Sequence, residues 1–464
     1  MLFPSLSIPH RRLSRIFAIL VWLVVTSLAS RAQEQEPADS QRGASLPEPL
    51  GGVSSLPLQV SSQGANVVTG SIAVSSLYDD HAATTGNGAS GNYQHSFLST
   101  IGLQSSQLHT KWHVTYAGGL TLGRQSTSNA QETRDLTFDM QHNFTRRLML
   151  ALREDYLVTS DPFVRIGDSQ GVPMLAGPAQ LNTLSASPTA TRVATAFSGS
   201  VSFRLSEYST IGLISNIAGQ HFQTVGATAP GGLGLIDARA TTESAFYAVQ
   251  ISRNQSIGAE YQWQDSRFAG GRARTANHTV LLFDDIRLKH NMTLSLFAGP
   301  QRSHTHDVAG LAPDLSAFVA PAIKDHWLLA AGATYAWQGE LTGFRLSGQR
   351  SVSDGSGAMG AIRLNGVSME LQRRVANRWN LAVGGSYARS QPLDGFTEGA
   401  SGALTAEQGN ISLERHITSD FSARVRYARV QQTNVAANVL APALGNHNRL
   451  EFGLIYQFAR PFSR

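Results

Sequence analysis

From about residue 66 to the C-terminus, apolar and polar residues alternate with period two. Leu108, Trp112, Val114, Tyr116, Leu120 and Leu122 share one side of a segment; Gln107, His109, Lys111, His113, Thr115 and Thr121 share the other. Val193, Phe197, Val201, Phe203 and Leu205 oppose Arg192, Ser198, Ser200, Ser202 and Arg204 in the same way. So do Leu136, Phe138, Met140 and Phe144 against Thr137, Asp139, Gln141 and Asn143. Successive side chains of a strand point to opposite faces, so this spacing gathers apolar groups on one face, where a helix would scatter them.

The pattern predicts about 18 strands, at 68–78, 93–104, 107–123, 132–144, 147–160, 191–205, 208–222, 241–253, 255–268, 275–288, 291–300, 326–338, 341–352, 361–374, 378–390, 404–416, 420–432 and 448–459. Between Leu364 and Val367 the apolar face shifts by one residue, which predicts a β-bulge there. Tight gaps at 105–106, 146, 206–207, 254, 290, 339–340, 375–377 and 417–419 alternate strictly with longer ones, of which the longest is 161–190. A meander whose every second connection is long has two different rims. The expected fold class is therefore all-β: a closed antiparallel transmembrane meander β-barrel with short periplasmic turns and long external loops.

The polar faces carry Lys111, Glu260, Gln262, Arg345, Arg363, Arg424 and Arg426. A soluble sandwich would have to bury such charges in a dry core, at several kcal/mol or more for each unpaired ion. A barrel of roughly 16–18 strands instead leaves room for a water-filled channel, and lipid demands the closure that pairs every backbone group. Phe144, Tyr208, Trp379, Phe421 and Phe458 fall near the short turns, where an interfacial aromatic girdle is expected. A soluble β-solenoid or propeller needs a fixed internal repeat, and none is visible beyond the hairpin.

Composition sharpens this picture. Of the 464 residues 42% are hydrophobic and only 15% charged, against about 25% charged in ordinary soluble domains. A mean hydropathy of −0.13 is too polar for a bundle of membrane helices. The formal charge of +5 is concentrated at the start: Arg11, Arg12, Arg15 and Arg31 lie in the first 32 residues, which hold no acid. The remaining chain is near neutral, which argues against nucleic acid as a partner. The absence of cysteine excludes disulfides, thiolate zinc sites and cysteine nucleophiles.

Residues 1–32 combine a basic start, the apolar run 16–25 and Ser30-Arg31-Ala32, the layout of a cleaved export signal. The alternative, a permanent anchor, is disfavoured because the run is shorter than the roughly 20 residues a spanning helix needs. Residues 33–65, with four prolines and Gly51-Gly52, read as a flexible periplasmic leader. The barrel is then 66–464.

In this pattern residues 66–464 resemble the Gram-negative outer-membrane β-barrels and, more loosely, the porins and sugar porins. The segment Leu450–Phe458 is similar to the C-terminal strand by which such proteins are recognised for insertion, although Ala459–Arg464 follow the usual terminal aromatic. Ser75–His81 resembles the first strand of barrels linked to exopolysaccharide export. The resemblance implies a place in the outer membrane, outer-membrane lipid and the barrel-assembly machinery as partners, and small hydrophilic solutes as cargo, with a homotrimer left open. It also implies that the third long connection, Asp161–Ala190, folds into the lumen. Asp161 and Asp168 would then face Lys111, Arg204, Arg345, Arg363, Arg424 and Arg426 across a constriction with a modest preference for anions. A loop lying across the mouth as a lid, and arginines tuned to nothing in particular, are the alternatives.

Other constellations carry less. His109, Lys111 and His113 on one strand face lack a third metal ligand and read as ordinary lumen residues, and His304-Thr-His-Asp307 reads as a mobile solvated loop in preference to a surface metal site. Asp79-Asp80-His81 lacks a nucleophile elbow or a placed base and reads as a turn. No catalysis, cofactor or metal is expected. The leading reading is a porin-like channel for passive diffusion; the alternative is a non-conducting structural, adhesive or polysaccharide-export-associated barrel.

Overall fold

The computed structural model describes residues 66–80, 92–123, 131–159, 190–224, 237–268, 273–289, 291–307, 323–353, 362–376, 378–393, 403–434 and 447–461, with the dipeptides 310–311 and 318–319. The strands are β1 (Val67–Asp79), β2 (Asn92–Ser106), β3 (Thr110–Gly123), β4 (Gln131–Asn143), β5 (Leu148–Thr159), β6 (Ala190–Arg204) and β7 (Ser209–Thr224). They continue as β8 (Ala238–Ser252), β9 (Gln255–Phe268), β10 (Ala273–Lys289), β11 (Met292–Asp307), and the two-residue pair β12 (Gly310–Leu311) and β13 (Phe318–Val319). The last are β14 (Ile323–Gln338), β15 (Thr342–Ser353), β16 (Ile362–Ala376), β17 (Trp379–Pro392), β18 (Leu404–His416), β19 (Phe421–Asn434) and β20 (His447–Pro461).

Setting aside β12 and β13, each strand pairs antiparallel with its neighbours in sequence, and β1 pairs with β20. The result is a closed 18-stranded meander barrel, the architecture of outer-membrane β-barrels. All 18 expected strands are present. They run from 12 to 17 residues, longer than the 9–11 that cross a bilayer at a tilt of about 45°.

Three of the short turns are fixed by Ser or Thr at their first position. Thr145 Oγ1 accepts from the backbone N–H of Arg147 and Leu148, Ser206 Oγ from that of Tyr208, and Thr418 Oγ1 from those of Asp420 and Phe421. Such side-chain turns satisfy backbone donors that the reversing chain leaves unpaired.

The anticipated bulge at Leu364–Val367 does not exist. Leu364 to Val367 pair without interruption with Ser351 to Gly348, and the register shift of β16 lies instead at its short-turn end, between Arg374 and Ala376. Ile362 and Leu364 keep the inward parity of Ser368; they are apolar because the inner face itself changes character toward the long-connection rim. Without the bulge, Arg363 stays on the face of Val367 and Met369, which are exposed on the outside, and its guanidinium donates to Gln391 Oε1. Arg363 therefore belongs to the outer wall, against the sequence expectation.

The β1–β20 seam that closes the barrel is clasped at the long-connection rim. The Asp80 carboxylate accepts from Asn448 N at 2.7 Å and from Asn448 Nδ2 at 2.6 Å, while Asp80 N donates to Asn448 O. Tyr427 of β19 donates to Asn448 Oδ1, and Arg449 faces Asp79 at 3.6 Å. The Asp-Asp pair of the sequence is thus a seam element. Asp80→Ala removes two acceptors, so it should lower the folded barrel's stability by about 1–3 kcal/mol. A downward shift in the temperature at which the protein loses its compact electrophoretic form checks this.

Candidate pore

The outer face is apolar through most of its middle, with Glu154 of β5 an exposed exception between Phe138 and Phe197. Ile72, Val74, Phe97, Ile101, Leu120, Leu213, Leu282 and Leu329 are among its exposed side chains. Tyrosines and tryptophans border it toward the long connections: Tyr427, Leu450, Tyr78 and Tyr93 form one register row across four strands, and Trp327 is exposed on β14. Phe144 and Tyr208 are exposed at the short-turn rim, and Trp379, Phe421 and Phe458 have outward parity there. Apolar groups outside and polar groups inside are what a wall facing hydrocarbon requires.

The inner face divides by height. Toward the short turns it is open: Arg204 and Arg374 are exposed, and Lys111, Arg287, Arg424 and Arg426 are half-buried. Toward the long connections it is shielded from solvent: Thr137, Glu260, Gln262, Gln264, Thr275, Asn277 and Ser303 are buried, with the apolar Leu157, Phe268, Leu281 and Ile362 among them. The lumen is thus a charged vestibule at one rim, and its wall is covered toward the other.

Of the residues anticipated to line it, Lys111, Arg204, Arg345, Arg424 and Arg426 have inward parity. The register sets Arg345 beside Glu370, Arg424 beside Glu414, and Arg426 beside Glu451, so three of these arginines stand against a carboxylate on the next strand. Arg204 has no acid beside it in the ladder. Asp161 and Asp168, with the whole of 161–189, lie outside the described residues.

Three features of the inner face go beyond the sequence reading. First, β15 and β14 pair only from Ala331↔Arg350 down to Gln338↔Gly343. Above that, Val352 N donates to Gln301 Oε1 of β11, the next strand but one, so the upper end of β15 leans to the inner side of β14. That lean buries Val352. Second, phenylalanines of the inner wall lie over glycines of adjacent strands. A Cβ on Gly212 would meet Phe246 at 2.3 Å, one on Gly258 would meet Phe283 at 2.2 Å, and one on Gly332 would meet Phe297 at 2.3 Å. With Ile214 and Ala248 these rings make an apolar patch on a wall expected to be uniformly polar.

The third is an ionic network on β4 and β5. Arg153 donates from Nε to Asp155 Oδ2 at 2.7 Å and from Nη2 to Asp155 Oδ1 at 3.0 Å, and its Nη1 stands 3.6 Å from Asp139. Thr137 Oγ1 adds a hydrogen bond to Asp155 Oδ1 at 3.0 Å, and His113 lies 4.0 Å from Asp139 on the other flank.

The suspected metal sites resolve differently. β3 begins at Thr110, so His109 sits in the preceding turn and does not share a strand face with Lys111 and His113. His304 and His306 lie on β11, not in a loop; His304 Nδ1 is 2.7 Å from Asp325 Oδ1, whose other oxygen accepts from Arg302 at 2.9 Å. Among the described residues no three His, Cys, Asp or Glu side chains converge on a metal position.

No protein-family model and no curated protein sequence matches the chain. Solved structures do. The siderophore receptor PiuA from Acinetobacter baumannii matches with a TM-score of 0.46 at 11% identity, over 85% of this chain and 82% of that one. OccK2 (OpdF) from Pseudomonas aeruginosa matches with a TM-score of 0.39 at 10% identity, over 84% and 98%. OprD from Pseudomonas aeruginosa matches with a TM-score of 0.38 at 12% identity, over 84% and 95%.

Proposed function

We propose that this chain is a porin-like channel of a Gram-negative outer membrane, exported by residues 1–32, through which small hydrophilic solutes diffuse passively. The observation that carries the reading is the inversion of the wall: an apolar outer face around an inner face whose short-turn half is open and charged. Such a vestibule selects by fixed charge and width, with no catalytic step. Arg204 and Arg374, whose ladder partners are the uncharged Thr210 and Asn380, add to Arg424 and Arg426, which face Glu414 and Glu451, and leave an excess of cationic groups that favours anions modestly. The full chain in a planar bilayer is expected to conduct and to show a reversal potential on the anion-selective side. Arg204→Ser combined with Arg424→Ser and Arg426→Ser should move that potential toward cations. Failure of any solute size class to permeate proteoliposomes would sink the channel.

The covered inner face toward the long connections supports a second reading, a closed barrel with a structural, adhesive or export-associated role. Conductance separates the two. A closed barrel stays silent as the full chain, and deletion of residues 165–185 or of 33–65 would open it if either segment fills the lumen.

A further inference from the structure

We propose that the outer face of β8–β11 at the long-connection rim binds the phosphate groups of a phosphorylated lipid headgroup. Three arginines stand side by side there. Arg239 of β8 is the register partner of Arg267 of β9, and Arg267 that of Arg274 of β10. His306 of β11 extends the row beside Arg274. Directly opposed side chains in an antiparallel sheet have Cβ atoms about 4.5–5.5 Å apart, and like charges so placed repel.

Among the described residues one carboxylate pairs with them. Asp265 accepts from Arg267 Nε at 3.0 Å and from Arg274 Nε at 2.5 Å. Arg239 forms no ion pair with any described residue. The side chains of Arg267 and Arg274 are 61% and 52% exposed, so guanidinium N–H groups remain free for an external anion. A row of planar forks suits phosphate oxygens, which guanidinium binds bidentately.

The rows beneath identify the occupant as a lipid. Going toward the middle of the wall, Trp263, His278, Arg302 and Trp327 make an outward row, in which Arg302 is already held by Asp325 and stacks over Trp327 at 6.0 Å. Tyr261, Val280, Pro300 and Leu329 follow, and Leu282 below them is exposed. Amphipathic aromatic rings sit at the level of lipid headgroups, which sets the arginine row at the height of headgroup phosphates with acyl chains running down the apolar wall. A ligand anionic at one end and acylated at the other matches both halves of the patch. The inference rests on the outer face being lipid-facing and not on conduction, so a silent bilayer experiment leaves it intact.

The test is binding of diphosphorylated lipid A to the purified full chain in detergent, measured by native mass spectrometry against dephosphorylated lipid A. The parent should prefer the phosphorylated lipid. Arg239→Gln combined with Arg267→Gln and Arg274→Gln should weaken its binding by about tenfold or more, the equivalent of one charge-assisted hydrogen bond lost. Arg415→Gln, on the outer face at the opposite rim, should leave it unchanged. If the triple variant fails to fold, Arg239→Gln alone, which removes no ion pair to any described residue, should still reduce binding measurably. Equal affinity for the two lipids, full binding by the variants, or displacement of lipid A by millimolar inorganic phosphate at constant ionic strength would each overturn the proposal.

Discussion

Arg153→Met is expected to destabilise the folded barrel by about 3–5 kcal/mol, the cost of breaking a buried ion pair and stranding its charges. The guanidinium side chain is 6% exposed, Asp155 6% and Asp139 12%. Removing the cation leaves both carboxylates facing a shielded space, with Asp135 of the same inner face also buried. The ladders that hold β4 and β5 on both sides keep these side chains from swinging to bulk water. A urea titration of the protein in lipid vesicles, read by the loss of heat-modifiable migration, measures the cost. A loss under about 1 kcal/mol, the range of solvent-exposed pairs, would mean that water fills this half of the lumen.

The outcome bears on function as well as stability. A large loss goes with a lumen closed toward the long connections, a small one with a water-filled path. Charge is the cause, so Arg153→Met combined with Asp155→Asn should cost less than the two single losses added together, since contacting groups couple. Strict additivity would show that Arg153 acts through packing alone.

The strands and their closure were legible because period-two alternation is a local property. A strand between lipid and water needs opposite chemistry at every step, and each strand therefore announces its own face. The alternation of tight and long gaps carried the topology for the same reason. What the pattern could not reveal is height. Ile362 and Leu364 looked like a slipped register because apolar residues were assigned to lipid throughout. They are instead inward residues in the covered part of the lumen, and Arg363 followed them onto the wrong face. Phe246, Phe283 and Phe297 were invisible as an inner patch for a related reason: each ring lies over a glycine on an adjacent strand, and that pairing exists only once the register is known. The one local hint was a large aromatic interrupting a polar face. The lean of β15 depends on a contact between Gln301 and Val352, some fifty residues apart, which no periodicity encodes.

Gly299→Ala should be the most damaging single-methyl addition in the wall, at about 3 kcal/mol, the upper range for overpacking. Its Cβ would fall 1.7 Å from Val280 O, 2.8 Å from Val280 C and 3.0 Å from Leu281 Cα. These are backbone atoms of β10 and cannot rotate aside as a side chain would. The site is also where the β10–β11 ladder is interrupted: Thr279↔Gln301 and Leu282↔Ala298 are paired, while Val280 and Leu281 have no partners opposite Gly299 and Pro300. Pro300 explains the gap, since it brings no N–H to the ladder, and Gly299 lets the two backbones close over it. The two residues thus act oppositely on one defect. Pro300→Ala restores a donor and should be neutral or stabilising, whereas Gly299→Ala forces apart strands that the neighbouring pairs hold together. The midpoint of urea unfolding, compared for the two variants in the same vesicles, checks both signs. A Gly299→Ala barrel as stable as its parent would mean that β10 and β11 can separate locally without cost, and the proline would then be the sole cause of the break in pairing.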